Sequence, residues 1–159
     1  MITGLHHVNI IVPKDTLPLA REFYGTTLGL TPRPVPQLQR DSLSWFDIAS
    51  SGQQLHVAFG RDEDFTPSAR QAPRHPCFRL ESVEKLNELQ RRIWKHFLEG
   101  QQQSKIAGAD DGSSENVRAE AAPMQCDEPG GENSGDKGVE YPTRFFARDY
   151  AGNRLEFTV

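Results

Sequence analysis

Three imidazoles and one carboxylate, His7, His56, His75 and Glu156, sit where they could hold a divalent metal and leave room for a substrate. Carboxylate and imidazole without thiolate suit Mn, Fe(II), Ni, Co or Zn better than a closed structural site does. Each residue falls inside a run that reads as a β-strand. A single strand histidine is more often a packed residue than a ligand. The case for a metal site therefore rests on how the four are spaced.

The elements that must position them form a repeat. Residues 5–12 alternate, with Leu5, His7, Asn9 and Ile11 on one face and His6, Val8, Ile10 and Val12 on the other. A helix is expected over 17–28, with Gly29 just past its end. Pro32, Pro34 and Pro36 suit an edge or loop path. Strands are expected over 42–49 and 53–59, joined at Gly52. After a polar connector the order restarts. A strand spans 74–80, and Ser82 caps a helix with the stripe Leu86, Leu89, Ile93, Trp94 and Phe97. A hairpin over 143–148 and 153–159 closes the chain. Two modules result, about 1–60 and 74–159, each β-α-β-β-β in order.

Residues 99–138 are poor in large apolar side chains and rich in Gln, Gly, Ser, Asp, Glu and Asn. This stretch is expected to be a mostly disordered insertion. The missing third strand of the second module is placed at 117–123.

His7 and His75 occupy the first strands of the two modules, and His56 and Glu156 the last. His7 and His56 are 49 residues apart, His75 and Glu156 81, and the excess of 32 is about the length of the insertion. All four lie opposite the larger apolar residues of their strands. Alternation puts His6 on the other face from His7, so the two are not expected to share one metal. His96, near a helix end, and Cys77 read as structural. Arg79 and Arg154 project to the site face, where one of them could bind an anionic group.

The 159 residues suffice for one domain with a core. A net charge of −4 leaves no basic footprint for nucleic acid. No apolar run is long enough to span a membrane, and the start shows no leader pattern, so a cytoplasmic location is the default. Cys77 and Cys126 make no disulfide framework.

Several stretches resemble one family. They are Gly4-Leu5-His6-His7-Val8, Ala20-Arg21-Glu22-Phe23-Tyr24 leading to Leu28-Gly29-Leu30, and Gln53-Gln54-Leu55-His56-Val57. The closing Arg144-Phe145-Phe146-Ala147-Arg148-Asp149 to Gly152-Asn153-Arg154-Leu155-Glu156-Phe157 is the most specific. Together they resemble the glyoxalase / bleomycin-resistance / extradiol-dioxygenase group, the vicinal oxygen chelate superfamily. The family's Asp-Pro-Asp-Gly-Asn turn is here Asp149-Tyr150-Ala151-Gly152-Asn153, which leaves Glu156 in register.

The resemblance implies an α+β fold of two βαβββ modules whose curled mixed sheets surround a cavity with a divalent metal. It maps His7, His75 and Glu156 onto the ligands of fosfomycin-resistance thiol transferases and extradiol dioxygenases. His56 falls where glyoxalase I has a glutamate ligand. The implied function is a metal-dependent enzyme that chelates a small oxygenated substrate and acts as lyase, isomerase, thiol transferase or dioxygenase. Glu156 is then the expected base, with His56 second. A non-catalytic protein that sequesters a small molecule on the same fold is the alternative. A homodimer, with modules pairing between chains, is also implied. A scaffold role for the acidic insertion is a third reading.

Overall fold

The computed structural model describes residues 1–106, 114–135 and 143–159. Among them the chain forms two four-stranded mixed sheets. The first contains β1 (His7–Val12), β2 (Thr31–Arg33), β3 (Leu43–Asp47) and β4 (Gln54–Phe59), in the order β1-β4-β3-β2. The second contains β5 (Cys77–Arg79), β6 (Gln125–Cys126), β7 (Arg144–Arg148) and β8 (Arg154–Thr158), in the order β5-β8-β7-β6. In each sheet the first strand runs parallel to the last, and the other pairs are antiparallel. The repeat inferred from spacing is therefore a repeat of topology.

Register repeats as well. His56 faces Asn9, two residues beyond His7, and Glu156 faces Cys77, two residues beyond His75. Paired strands share faces, so His7 and His56 lie on one side of the first sheet; His75 precedes β5 and meets Glu156 by a direct contact of 2.9 Å. The other side builds the core. Val12, Phe46, Leu55 and Val57 are fully buried on the first sheet, and Phe145, Leu155 and Phe157 almost so on the second.

Helices cover those apolar faces. α1 (Leu17–Ala20) continues as a π-helical stretch over Arg21–Thr27 and buries Ala20, Phe23 and Tyr24. It stops at Gly29, whose φ of 78° favours glycine. Arg92 then caps the freed carbonyls of Thr27 and Leu28 at 2.6 and 3.0 Å. α2 (Val83–Ile106) begins after Ser82, whose hydroxyl accepts from the Lys85 amide at 3.3 Å. Its expected stripe faces inward, with Leu86, Leu89 and Ile93 buried.

The reading of 99–138 as mostly disordered is corrected for its described part. α2 runs on to Ile106, α3 occupies Ser114–Glu120, and β6 pairs with β7. The third strand is thus Gln125–Cys126, and most of the stretch expected to be strand is helix or turn. Polar contacts and small residues supply the order that apolar content did not promise. The Arg118 guanidinium of α3 bridges Glu22 and Glu99 at 2.6 and 2.8 Å. Gly100 lets α3 approach so closely that a side chain there would overlap Ala122. Asp127 is buried and accepts from the Phe146 and Ser134 amides at 2.9 and 3.1 Å. Residues 107–113 and 136–138 of that stretch lie outside the described residues.

His96 is fully buried where α1, α2 and α3 meet. Its Nε2–H donates to the Arg118 carbonyl at 2.7 Å, and its Nδ1 accepts from the Thr27 hydroxyl at 2.8 Å. Both bonds fit a neutral ring, and burial holds its pKa below the ordinary value. The unfolded chain therefore takes up a proton before the folded one does. Stability should hold above about pH 6.5 and fall below it as pH drops toward the depressed folded value. Urea unfolding across that range should show a shallower loss in His96→Gln; an unchanged slope would remove His96 as the cause.

The turn between β7 and β8 ties the modules together. Asp149 is fully buried. It accepts from the Tyr24 hydroxyl (2.6 Å), the Ala151 and Asn153 amides (2.9 and 2.8 Å) and the Asn153 side chain (2.8 Å). The same Asn153 side chain donates to the Ile11 carbonyl on β1 at 2.8 Å. Tyr24→Phe removes one hydrogen bond to this carboxylate and should cost about 1.5–3 kcal/mol. The check is a lowered urea midpoint with an unchanged slope.

Candidate metal centre

A cleft of about 1050 Å³ runs between the modules and is lined by β1, the lead-in to β5, and the β7–β8 turn. His7 and His75 both line it. The four expected site residues fall into two pairs, one per sheet.

The second-module pair is already close. His75 lies just before β5, and its Nδ1–H donates to the Pro73 carbonyl at 2.5 Å. The carbonyl only accepts, so Nδ1 holds a proton, and Nε2 is hydrogen-bonded to Glu156 Oε2 at 2.9 Å. The other carboxylate oxygen of Glu156 takes a bond from Arg144 at 3.3 Å. Glu156 reaches this position because Leu155 and Phe157 on either side anchor the opposite face of β8 in the core. Cys77 lies beside it. Burial first, and then the Glu156 carboxylate, push its thiol up to about 11, which leaves it a protonated neighbour at neutral pH.

The first-module pair is arranged differently. His7, His56 and Trp45 stack as three near-parallel rings, with centroids 4.1 Å and 4.5 Å apart. His56 Nε2–H donates to Gln54 Oε1 at 2.9 Å. Gln54 in turn donates to Asp47 at 2.8 Å, and Asp47 pairs with Arg33 at 3.2 Å. His56 is thus held by a relay and a ring stack, with Nε2 engaged. Burial, followed by the neighbouring His7, lowers its pKa.

His6 departs from expectation. β1 begins at His7, so strand alternation does not govern the preceding residue. The two Nδ1 atoms lie 3.2 Å apart. Among the described residues of one chain, no three His, Cys, Asp or Glu groups converge on a common point.

Sequence reasoning missed the residues that brace these pairs. Gln54 shares the face of His56 two positions away, so period-two spacing could have flagged it. Trp45 and Arg144 reach the site across strands, through a register that spacing alone did not supply.

The sequence matches no protein-family model and no curated protein. Solved structures do match. A glyoxalase family protein from Bacillus anthracis aligns with a TM-score of 0.62 at 23% identity, covering 99% of this chain and 94% of that one. A mutant of the fosfomycin resistance protein FosX from Listeria monocytogenes, complexed with Mn(II) and 1S,2S-dihydroxypropylphosphonic acid, aligns at 0.61 and 14% identity, covering 99% and 90%. An integron cassette protein from the mobile metagenome of the Halifax Harbour sewage outfall aligns at 0.54 and 14% identity, covering 99% of each chain. With its paired mixed sheets and the cleft between them, the chain has the fold of that glyoxalase family protein and of FosX.

Proposed function

We propose that the protein is a metal-dependent enzyme of the vicinal oxygen chelate type, acting on a small oxygenated molecule. The observation that carries this reading is the His75–Glu156 pair. Two donors on one divalent ion, with bonds of about 2.1 Å at right angles, stand about 3 Å apart. His75 Nε2 and Glu156 Oε2 are separated by 2.9 Å, in a hydrogen bond whose proton a divalent ion would replace. A backbone carbonyl fixes the outer nitrogen of His75, as metal-bound imidazoles require. His7 on the same cleft is the third proposed ligand. His56 would have to ligate through Nδ1, because Gln54 takes its Nε2–H.

The donor set suits Mn, Fe(II), Ni, Co or Zn, and the Mn(II) bound by FosX makes manganese the first metal to test. Such an ion would act as a Lewis acid on substrate oxygens. The chain's own groups would do the rest. Arg144 orients Glu156 and offsets its charge. If the reaction moves a proton, Glu156 is the base, with His56 in reserve.

A homodimer would complete the site. β1 and β5 are each at the edge of their sheet, and edge strands carry unpaired backbone groups that invite a partner strand. Pairing β1 of one copy with β5 of another would bring His7 toward the partner copy's second-module pair. A second reading, a binding protein that works without metal, is favoured by the lack of a three-ligand group among the described residues of one chain.

Purified protein should take up one Mn(II) per chain, measured by elemental analysis after gel filtration. His75→Ala and Glu156→Ala should each weaken that uptake by about 10- to 100-fold or more. Stoichiometric failure to bind any of the five metals would favour the binding-protein reading. Light scattering should give twice the 17.9 kDa of one chain; a monomer that still binds the metal through His7 would overturn the shared site.

A further inference from the structure

The site face of the second sheet is strongly and unevenly charged. Register puts Arg79, Arg144, Arg148 and Arg154 on the same side as Glu156, the one carboxylate of those strands on that face. Two of the four guanidiniums are engaged. Arg144 bonds Glu156 at 3.3 Å. Arg148 donates to the carbonyls of Ala72, Gly152 and Gln71 at 3.0–3.2 Å, which fastens the connector to the β7–β8 turn. Arg79 is exposed at the cleft edge.

Arg154 differs from all three. It is half-buried and lines the cleft. Its guanidinium lies over the Phe146 ring, 4.2 Å from the centroid. Among the described residues it has no carboxylate or carbonyl partner. A guanidinium held against an aromatic face keeps its N–H edges free in a fixed orientation. That fork matches the two oxygens of a carboxylate, phosphate or phosphonate. Arg70 adds a second cation. Its side chain packs on Gly152 at the head of β8, it lines the same cleft, and its Nε is buried without a partner. The acids on the cleft wall, Glu63 and Asp64, are both paired with Arg61.

We infer that the cleft takes a small anionic ligand whose oxyanion group is held by Arg154 with support from Arg70. The inference rests on the cleft being the ligand site proposed above. Arg154 and Glu156 are two residues apart on one strand face, about 7 Å. The ligand is therefore a compact molecule whose anionic end reaches Arg154 while its other oxygens lie near Glu156 and His75. A charge that needs a guanidinium partner in a half-buried cleft also excludes neutral analogues of the same size.

The test is calorimetric titration of the full chain with inorganic phosphate, in metal-free and Mn(II)-loaded protein. Phosphate should bind saturably in the metal-free protein, and Arg154→Gln should weaken it by about tenfold or more. Arg154→Lys, which keeps the charge and loses the fork, should fall between the two. Arg91→Gln, on the exposed side of α2, should bind as the parent does. Unchanged melting temperature and unchanged Mn(II) uptake in Arg154→Gln would separate loss of the anion site from loss of fold. Phosphate binding that survives Arg154→Gln, or that is absent from the parent protein, overturns the inference. Failure to take up metal while phosphate still binds through Arg154 would overturn the enzyme reading and leave the anion site standing.

Discussion

The buried carboxylate of Asp149 is the interaction on which the arrangement of the two modules depends. Burial pushes its pKa up, and the four donors around it pull the other way. A carboxyl group with no access to water is tolerable only with such a complement of hydrogen bonds. Those donors come from both modules, Tyr24 from the first helix and Asn153 and Ala151 from the turn before β8. Asn153 reaches on to β1, and Tyr150 reaches the Thr16 carbonyl at 3.1 Å. One turn therefore sets where β8 begins relative to β1. Glu156 and Arg154 on β8, and His7 on β1, inherit their places from it.

The two sheets differ in chemistry although the modules are alike in topology. The first sheet presents aromatic and amide groups, His7, His56 and Trp45 in a stack with Gln54 behind. The second presents an imidazole–carboxylate pair in a field of guanidiniums. Repeat-equivalent positions thus do different things. His56 and Glu156 are matched in register, yet one is held in an amide relay while the other is hydrogen-bonded to an imidazole. A carboxylate accepts from several sides at once, whereas a neutral imidazole that has donated one N–H has a single lone pair left.

The acidic, polar stretch after Phe97 illustrates where composition misleads. It lacks the apolar area that normally offsets ordering entropy. Much of it is ordered nonetheless, because Arg118 bridges two carboxylates, His96 bonds its backbone, and Gly100 allows close approach. Each of those interactions is made with a partner distant in the chain. Composition counts residues and is blind to such partners.

Much of the fold was determined by the sequence itself. Period-two alternation, the proline-bounded edge, the glycine after α1 and the repeat spacing specify two βαβββ modules. They do so because a strand or helix must bury one face, and the pattern of apolar residues says which. The four candidate residues, His7, His56, His75 and Glu156, stood out for the same reason, as polar exceptions to the apolar pattern. Tertiary structure alone decided which of them meet. Alternation gives a side of a sheet but neither the register between strands nor a tautomer. The 2.9 Å approach of His75 to Glu156 and the stacking of Trp45 on His56 both depend on contacts between separate segments. Those contacts are set by packing of distant segments, which no local pattern encodes.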